Sequence, residues 1–312
     1  MYYVGLIQKF KVNRPLEAED RKMRLRQDRK FFQKPTSALS VTKINSTYLE
    51  VVDKFYSWKG GLTALGLFIV GFSIAAAVAP GYIMFIEHWP DLVRAQRIEA
   101  SVVFALIVVV ISVPFFCLGF WTIRRESFRY THYPIRLNRK ARKVYVFRLD
   151  GTVLETPWDD LYITMGPAAP SRIFGTDWDL RAHVLDADGD TVRETFAFGE
   201  VSDPENLRHY FSYLQRYMEE GPEAVAQYTP HCLDISDKRE TASFGFKRLW
   251  LNMHGWIAIQ VLMLPLFVFS ALGRVIAMRT SRIPQWPTEV EAANRIQPGD
   301  PWVRDARTHP AR

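Results

Sequence analysis

Uncharged apolar residues are concentrated in long runs, and these runs set the organisation of the chain. The first run has 27 residues, Gly60 to Ile86, and the second has 24, Ala100 to Ile123. About 20 apolar residues make a helix that crosses the hydrocarbon layer of a membrane, and helices satisfy the backbone hydrogen bonds there. The pattern therefore predicts a transmembrane helical hairpin over residues 60–123. Two core helices of a soluble domain are the alternative, but they need a larger fold than 312 residues supply.

A third uncharged run, Leu249 to Gly273, is a weaker candidate for a membrane helix. Polar or helix-breaking residues interrupt it at Asn252, His254, Gln260 and Pro265. We predict a third membrane helix over residues 249–273, with a re-entrant or surface-lying segment as the alternative. The choice between them decides on which side of the membrane the tail, residues 274–312, lies.

Lys and Arg are distributed asymmetrically around the first two runs, and this distribution predicts their orientation. Positions 40–59 have three of these residues and positions 124–143 have eight, whereas the loop 87–99 has two. Because Lys and Arg accumulate on the cytoplasmic side of spanning helices, we expect the loop outside and both flanking segments in the cytosol.

The segment before the first run, residues 1–59, contains 13 Lys and Arg and six acidic residues. Pro15 can open a helix, and the charged stretch Leu16 to Lys34 favours a solvated cytosolic helix. Aromatic residues in Tyr48–Val52 and Phe55–Trp58 come close to the first run, where we expect them to act as interfacial anchors.

After the second run, apolar residues alternate with polar ones, as in half-buried strands. Three such stretches follow one another, Tyr133–Leu137, Val144–Leu149 and Thr152–Thr156. The last two are joined by Asp150 and Gly151, a pair that is typical of a tight hairpin turn because both central residues need a positive φ.

A second hairpin is predicted further along the chain. It consists of Trp178–Leu185 and Thr191–Phe198, joined by the turn Asp186–Asp190, and the stretch Gly166–Ser171 before it is predicted to be a loop.

An amphipathic helix is then predicted, with Ser202 or Asp203 as its cap, Pro204 in its first turn and Gly221 at its end. Its apolar stripe consists of Leu207, Tyr210, Phe211, Leu214, Tyr217 and Met218. The expected fold class is thus an α+β membrane protein, with a cytosolic antiparallel β-rich domain over residues 124–245 closed by one helix. This order of strands and helix resembles the pleckstrin-homology-like superfold.

The formal net charge of +7 is concentrated beside the apolar runs, which favours a membrane over a nucleic acid as the partner of these cations. The basic cluster after the second run is expected to hold that end of the helix on the cytosolic side. It is also the predicted contact for anionic lipid or a protein partner, and attraction to anionic lipid contributes about 1 kcal/mol per basic residue. Its members are Arg124, Arg125, Arg129, Arg136, Arg139, Lys140, Arg142 and Lys143.

No constellation of residues predicts catalysis, a cofactor or a metal site. The run Asp186–Asp190 has the composition of a calcium loop but the wrong glycine spacing, and a hairpin turn fits it better. The two cysteines, Cys117 and Cys232, lie far apart in the sequence and in different segments. Four further acidic residues are expected at solvated loop positions: Asp159, Asp160, Asp177 and Asp179.

The stretch Tyr133–Val153 reads YPIRLNRKARKVYVFRLDGTV, and it is followed by Pro157-Trp158 and by Met278–Pro287, which reads MRTSRIPQWP. With these motifs, residues 45–300 resemble a family of uncharacterised inner-membrane proteins of Gram-negative bacteria. The resemblance implies an inner-membrane location and association with type VI secretion effector loci. The function it implies is that of a non-catalytic immunity or effector-accessory protein that contacts a secreted effector or another component of the secretion system. The alternative is a membrane-tethered adaptor whose cytosolic β-domain binds anionic lipid or a peptide strand.

Overall fold

The computed structural model of the chain describes residues 10–29, 34–83, 89–94, 98–171, 175–201, 203–251 and 261–311. The chain folds into two compact units. A β-rich unit comprises Met1–Trp58, Tyr130–Val261 and Arg282–Arg312, and a helical unit comprises Lys59–Arg129 and Leu262–Ser281. The chain is therefore a mixed α+β protein, as the sequence predicts.

The β-rich unit contains two antiparallel sheets of five strands each. In the order in which they pair, the strands of the first sheet are β1 (Arg14–Pro15), β10 (Thr191–Val201), β9 (Gly175–Leu185), β8 (Leu161–Ser171) and β2 (Arg24–Leu25). Those of the second are β3 (Val41–Ile44), β4 (Tyr48–Val52), β5 (Pro134–Asn138), β6 (Lys143–Phe147) and β7 (Val153–Pro157). The apolar inner faces of both sheets contribute to one core.

The predicted hairpins are confirmed. Strands β6 and β7 pair across the Asp-Gly turn, and β9 and β10 pair across the turn 186–190. Gly151 has a φ of +87°, but the positive φ expected at Asp150 as well is wrong. The loop predicted at Gly166–Ser171 is wrong, because these residues continue β8 alongside β9. The register shifts between Pro167 and Ala169. Proline has no backbone N–H, and a sheet accommodates it at such an irregularity.

The solvated helix predicted over residues 16–34 is also wrong. In the described part of this stretch, residues 16–29 and 34, the one helix is α1, Ala18–Lys22. The short strands on either side of it pair with β10 and β8. The side chains of Leu16 and Leu25 are buried, so apolar contacts hold this segment on the first sheet. Phe31 lies outside the described residues.

The aromatic residues predicted as interfacial anchors are mostly internal. Tyr48 belongs to β4, which lies between β3 and β5, and its side chain is buried. Tyr56, in a short 3₁₀ turn, is buried as well, whereas Trp58 is half exposed. The anchor interpretation is therefore wrong for the two tyrosines. One lies in a strand and the other in a turn, and both side chains pack into the interior of the β-rich unit.

The predicted amphipathic helix is α5, Pro204–Glu219, and its whole apolar stripe is buried. Asp203 caps it by accepting a hydrogen bond from the backbone N–H of Glu205, and Ser202 lies outside the described residues. Three further helices belong to the β-rich unit: α6 (Pro222–Ala226), α7 (Ala242–Leu251) and α9 (Thr288–Ala293). The helix α5 closes the core by packing against β9 and β10.

The helical unit contains α2 (Gly61–Tyr82), α3 (Trp89–Arg94), α4 (Ile98–Glu126) and α8 (Leu264–Thr280). Two of its helices, over Gly61–Tyr82 and Glu99–Glu126, are long and apolar enough to cross a membrane. Large apolar side chains on them are exposed, for example Phe72 at 64% and Val110 at 68%. Of the predicted third span, residues 252–260 lie outside the described residues, so that span stays a prediction.

Small residues and one carboxylate hold α2 and α4 together. A Cβ added to Gly66 would lie 2.6 Å from the carbonyl oxygen of Gly119, so the close approach of the two backbones requires glycine. Where α2 begins, the buried carboxylate of Glu126 accepts hydrogen bonds from the backbone N–H groups of Gly60 and Thr63, at 2.7 and 2.8 Å. This carboxylate satisfies donors that a helix N-terminus leaves unpaired.

Candidate functional site

A buried ion pair joins the 3₁₀ turn after β4 to the first sheet. The Nζ of Lys54 donates to the Oδ2 of Asp179 at 2.6 Å, and the two side chains are 1% and 0% exposed. Arg181 donates to the second oxygen of the same carboxylate. The expectation that Asp179 lies in a solvated loop is therefore wrong, because the residue is central in β9 and its partners compensate its charge.

A second buried ion pair lies on the outer face of the second sheet. Arg136 on β5 donates through Nε and Nη2 to the Oε2 of Glu50 on the neighbouring strand β4, at 3.0 and 2.7 Å. Its guanidinium lies between the rings of Tyr48 and Trp286, 4.2 and 4.8 Å from their centroids. Burial is the largest single influence on the pKa of Glu50 and raises it. The charges of Arg136 and Lys43 and the hydrogen bonds from Arg136 and Thr42 together outweigh burial, so the net pKa is below the usual range.

The structure divides the eight predicted basic contact residues between the two units. Arg124, Arg125 and Arg129 belong to the helical unit, and the first two place their guanidinium groups over the rings of Phe120 and Trp121. Each contact is a cation–π interaction between residues four positions apart on α4.

The other five lie together on the hairpin of β5 and β6, but they differ in exposure. Arg136 is buried in the pair with Glu50, so its charge cannot reach a membrane surface. Arg142 pairs with Asp159 and Glu219, and Lys143 pairs with Glu155. Half-buried Arg139 lies against Gly221, and Lys140 is exposed on the turn.

The neighbouring strand β7 forms an edge of the second sheet, and in the described part of the chain only β6 pairs with it. The N–H of Arg148 donates to the carbonyl of Thr152 at 2.8 Å, and the N–H of Trp158 donates to the carbonyl of Arg142 at 2.8 Å. Hydrogen-bonded and non-hydrogen-bonded pairs alternate in an antiparallel ladder. The backbone groups of residues 153, 155 and 157 therefore point away from β6.

This outward edge offers the N–H groups of Val153 and Glu155 and the carbonyls of Val153, Glu155 and Pro157. Proline has no N–H, so Pro157 offers no donor and Glu155 is the last outward donor of the strand. The side chains of Leu154 and Thr156 point into the unit and are buried. An extended segment placed beside β7 would thus find backbone partners without disturbing the core.

Acidic residues surround the same edge. Residues 150–160 contain Asp150, Glu155, Asp159 and Asp160 and no Lys or Arg. Glu155 and Asp159 have cationic partners, and a hydrogen bond from Arg142 holds the pKa of Asp159 below its ordinary value. Asp150 and Asp160, one beyond each end of the strand, are exposed. Asp150 bonds to Thr152, which holds the pKa of this carboxyl below its ordinary value.

Sequence reasoning missed Glu50 and Lys54, which are buried in the β-rich unit, and Glu200, which is half-buried there. The one signal in the sequence is Glu50, an acidic residue inside the otherwise apolar strand Tyr48–Val52. Among the described residues, no group of His, Cys, Asp and Glu has the arrangement of a metal site.

Glu200, near the end of β10, is a titratable group with a pH-dependent effect on stability. Burial raises its pKa to about 7, opposed by the charge of Lys54 and by the hydrogen bond from the indole of Trp58 at 2.8 Å. We expect its stabilising contribution to be complete below about pH 4.5, the ordinary value, and to be lost as the pH rises through about 7. The variant Glu200→Gln should therefore exceed the wild type in free energy of unfolding by up to about 3 kcal/mol above pH 7.

The measurement is urea unfolding of the detergent-solubilised full chain at several pH values. Glu205→Gln, at an exposed position in α5, is the matched control. A difference between Glu200→Gln and wild type that does not change with pH would contradict this assignment.

Comparison with known proteins identifies one family. Residues 112–298 match DUF6708, a family of unknown function, and this range includes β5 to β10, α5 and Trp286. No curated protein matches the chain, and no solved structure matches it either. Since the match covers more than half of the 312 residues, the chain belongs to the DUF6708 family of unknown function.

Proposed function

We propose that this chain is a non-catalytic protein of the bacterial inner membrane that acts through protein–protein contact. Its place would be a type VI secretion locus, where it would serve as an immunity or effector-accessory protein. The contact role is supported by one observation: β7 is an edge strand whose outer backbone donors and acceptors have no partner among the residues that the structure describes.

The helical unit supports the membrane part of the proposal. Helices α2 and α4 expose apolar side chains that would be costly in water and favourable in lipid. The basic residues in the last turn of α4 and after it favour a cytosolic location for the β-rich unit. In that unit, two antiparallel sheets closed by α5 are compatible with a pleckstrin-homology-like scaffold, a fold that serves as a binding platform.

Protein contact accounts for the β-rich unit better than lipid contact does. Lipid binding needs cations that are free to approach headgroups, but Arg136 is buried and both Arg142 and Lys143 have carboxylate partners. Of the residues predicted for lipid contact on this hairpin, Arg139 and Lys140 are the ones without such an ion pair in the described part of the chain.

Co-purification tests the proposal. The tagged full chain is expressed with the effector encoded beside it and is extracted in a neutral detergent. We expect the effector to be retained on the tagged protein and growth of the host to be restored. The proposal fails if neither the effector nor any other product of the locus is retained and growth is not restored.

A charge-reversal variant separates the protein partner from the lipid partner. Arg139→Glu with Lys140→Glu should leave effector retention unchanged. Under the lipid alternative, the same variant would abolish salt-sensitive binding to vesicles that contain phosphatidylglycerol.

A further inference from the structure

We propose that the partner binds as an added strand on β7, and that the segment it contributes is extended and carries basic side chains. This inference rests on the proposed function and specifies the chemistry of the partner. The added strand would be the sixth of the second sheet and would extend the ladder β3-β4-β5-β6-β7.

The backbone of β7 supplies the first argument. Two donors and three acceptors point away from β6, and the described residues give them no partner. The opposite edge of the same sheet differs, because β3 is covered. There, the N–H of Ile44 donates to the carbonyl of Arg304 at 3.0 Å, and the N–H of Leu233 donates to the carbonyl of Val41 at 2.8 Å. Within the described ranges, the chain thus covers the β3 edge of the sheet and places nothing on the β7 edge.

The charges around β7 supply the second argument. Asp150 and Asp160 lie just beyond the two ends of the strand, and both are exposed. A strand of five residues spans about 17 Å, so a segment that pairs with β7 would bring its own ends close to these two carboxylates. Lys or Arg at those ends would gain attraction and would steer the encounter.

The same charges exclude a second copy of this chain as the favoured occupant. Pairing β7 with β7 of another molecule would bring the exposed carboxylates Asp150 and Asp160 of the two copies towards one another, whereas Glu155 and Asp159 already have cationic partners. Charged residues and proline on an edge strand oppose such self-association, and Glu155 and Pro157 are both present here. A basic segment of a different protein meets no such repulsion.

Two peptides test the preference for basic side chains. Fluorescein-labelled KKTVTVTKK and EETVTVTEE are titrated with the full chain in a neutral detergent, and anisotropy is measured. We expect KKTVTVTKK to bind and EETVTVTEE to bind at least about tenfold more weakly. The variant Asp150→Asn with Asp160→Asn should weaken the binding of KKTVTVTKK and flatten its salt dependence.

A matched pair of variants tests the role of the backbone. Val153→Pro removes one outward donor but leaves the hydrogen bonds to β6 intact, whereas Val153→Ala shortens the side chain and keeps the donor. We expect Val153→Pro to weaken binding about fivefold to tenfold and Val153→Ala to change it less than about twofold.

Two results would overturn this inference: equal affinity for the two peptides, or equal affinity of Val153→Pro and Val153→Ala for KKTVTVTKK. If the effector co-purifies with Val153→Pro as it does with wild type, the proposed function stands and the strand-addition site falls. If KKTVTVTKK binds as expected but no product of the locus is retained, the site stands and the proposed function falls.

Discussion

Replacing Asp179 by Asn should lower the free energy of unfolding of the β-rich unit by roughly 3–5 kcal/mol. The substitution leaves the ammonium group of Lys54 buried without a counter-charge. It also leaves one neutral acceptor oxygen where Lys54 and Arg181 each had a carboxylate oxygen. Desolvation of an unpaired charge is what makes the loss large, since the pair itself adds little net stability. Urea unfolding of the full chain in detergent, followed by far-ultraviolet circular dichroism, measures the change.

Two further variants isolate the cause of that loss. Asp159→Asn breaks an exposed ion pair with Arg142 and should cost less than about 1 kcal/mol. Lys54→Met combined with Asp179→Asn removes the buried cation together with its partner and should recover much of the stability. If Asp179→Asn unfolds at the same urea concentration as Asp159→Asn, the buried pair does not have the role assigned to it.

The hairpins of the β-rich unit could be predicted because each depends on neighbouring residues. The alternation in Val144–Leu149 and Thr152–Thr156 and the Asp150-Gly151 turn are local signals, and the register of β6 and β7 follows from them. The amphipathic stripe of α5 is a local signal too, and all of it is buried.

The strands that the N-terminal segment adds to the two sheets could not be predicted from local patterns. Strand β4 pairs with β5 across the whole helical hairpin, and Arg21 forms an ion pair with Asp190, 169 residues later. Nothing in a local pattern specifies such a partner, so the charges of residues 16–34 favour a solvated helix when they are considered alone. Lys54 and Glu50 were missed for the same reason, since charged residues are buried only when a distant partner compensates them.

The candidate site was predictable in part. The sequence places a strand at residues 152–156 and acidic residues beside it. Which edge of the sheet is available, however, depends on contacts between distant segments. Arg304 and Leu233 cover β3, whereas no residue that the structure describes pairs with the outer edge of β7. Likewise, the basic cluster is visible in the sequence, but the burial of Arg136 depends on Glu50 and on Trp286.

Replacing Arg136 by Met should both destabilise the second sheet and release the segment that follows α8. Glu50 would be left as a buried carboxylate without its cation, at a cost of roughly 3–5 kcal/mol. Arg136 also bonds to Glu291 and stacks on Trp286, so its loss removes contacts that hold residues 286–291 on the sheet. We expect faster amide hydrogen exchange in β4 and in residues 286–294 than in the wild type.

The control for this experiment is Lys140→Met, which removes an exposed cation from the adjacent turn and should change neither stability nor exchange. Arg136→Lys should give an intermediate result, because lysine keeps the charge but cannot donate through two nitrogens to Glu50 while it stacks between two rings. The combination of Glu50→Gln with Arg136→Met should recover stability but not the protection of residues 286–294, since that protection depends on the guanidinium. Unchanged exchange in Arg136→Met would mean that the indole of Trp286, which donates to Glu50 at 2.9 Å and packs against Phe147, holds the segment without the arginine.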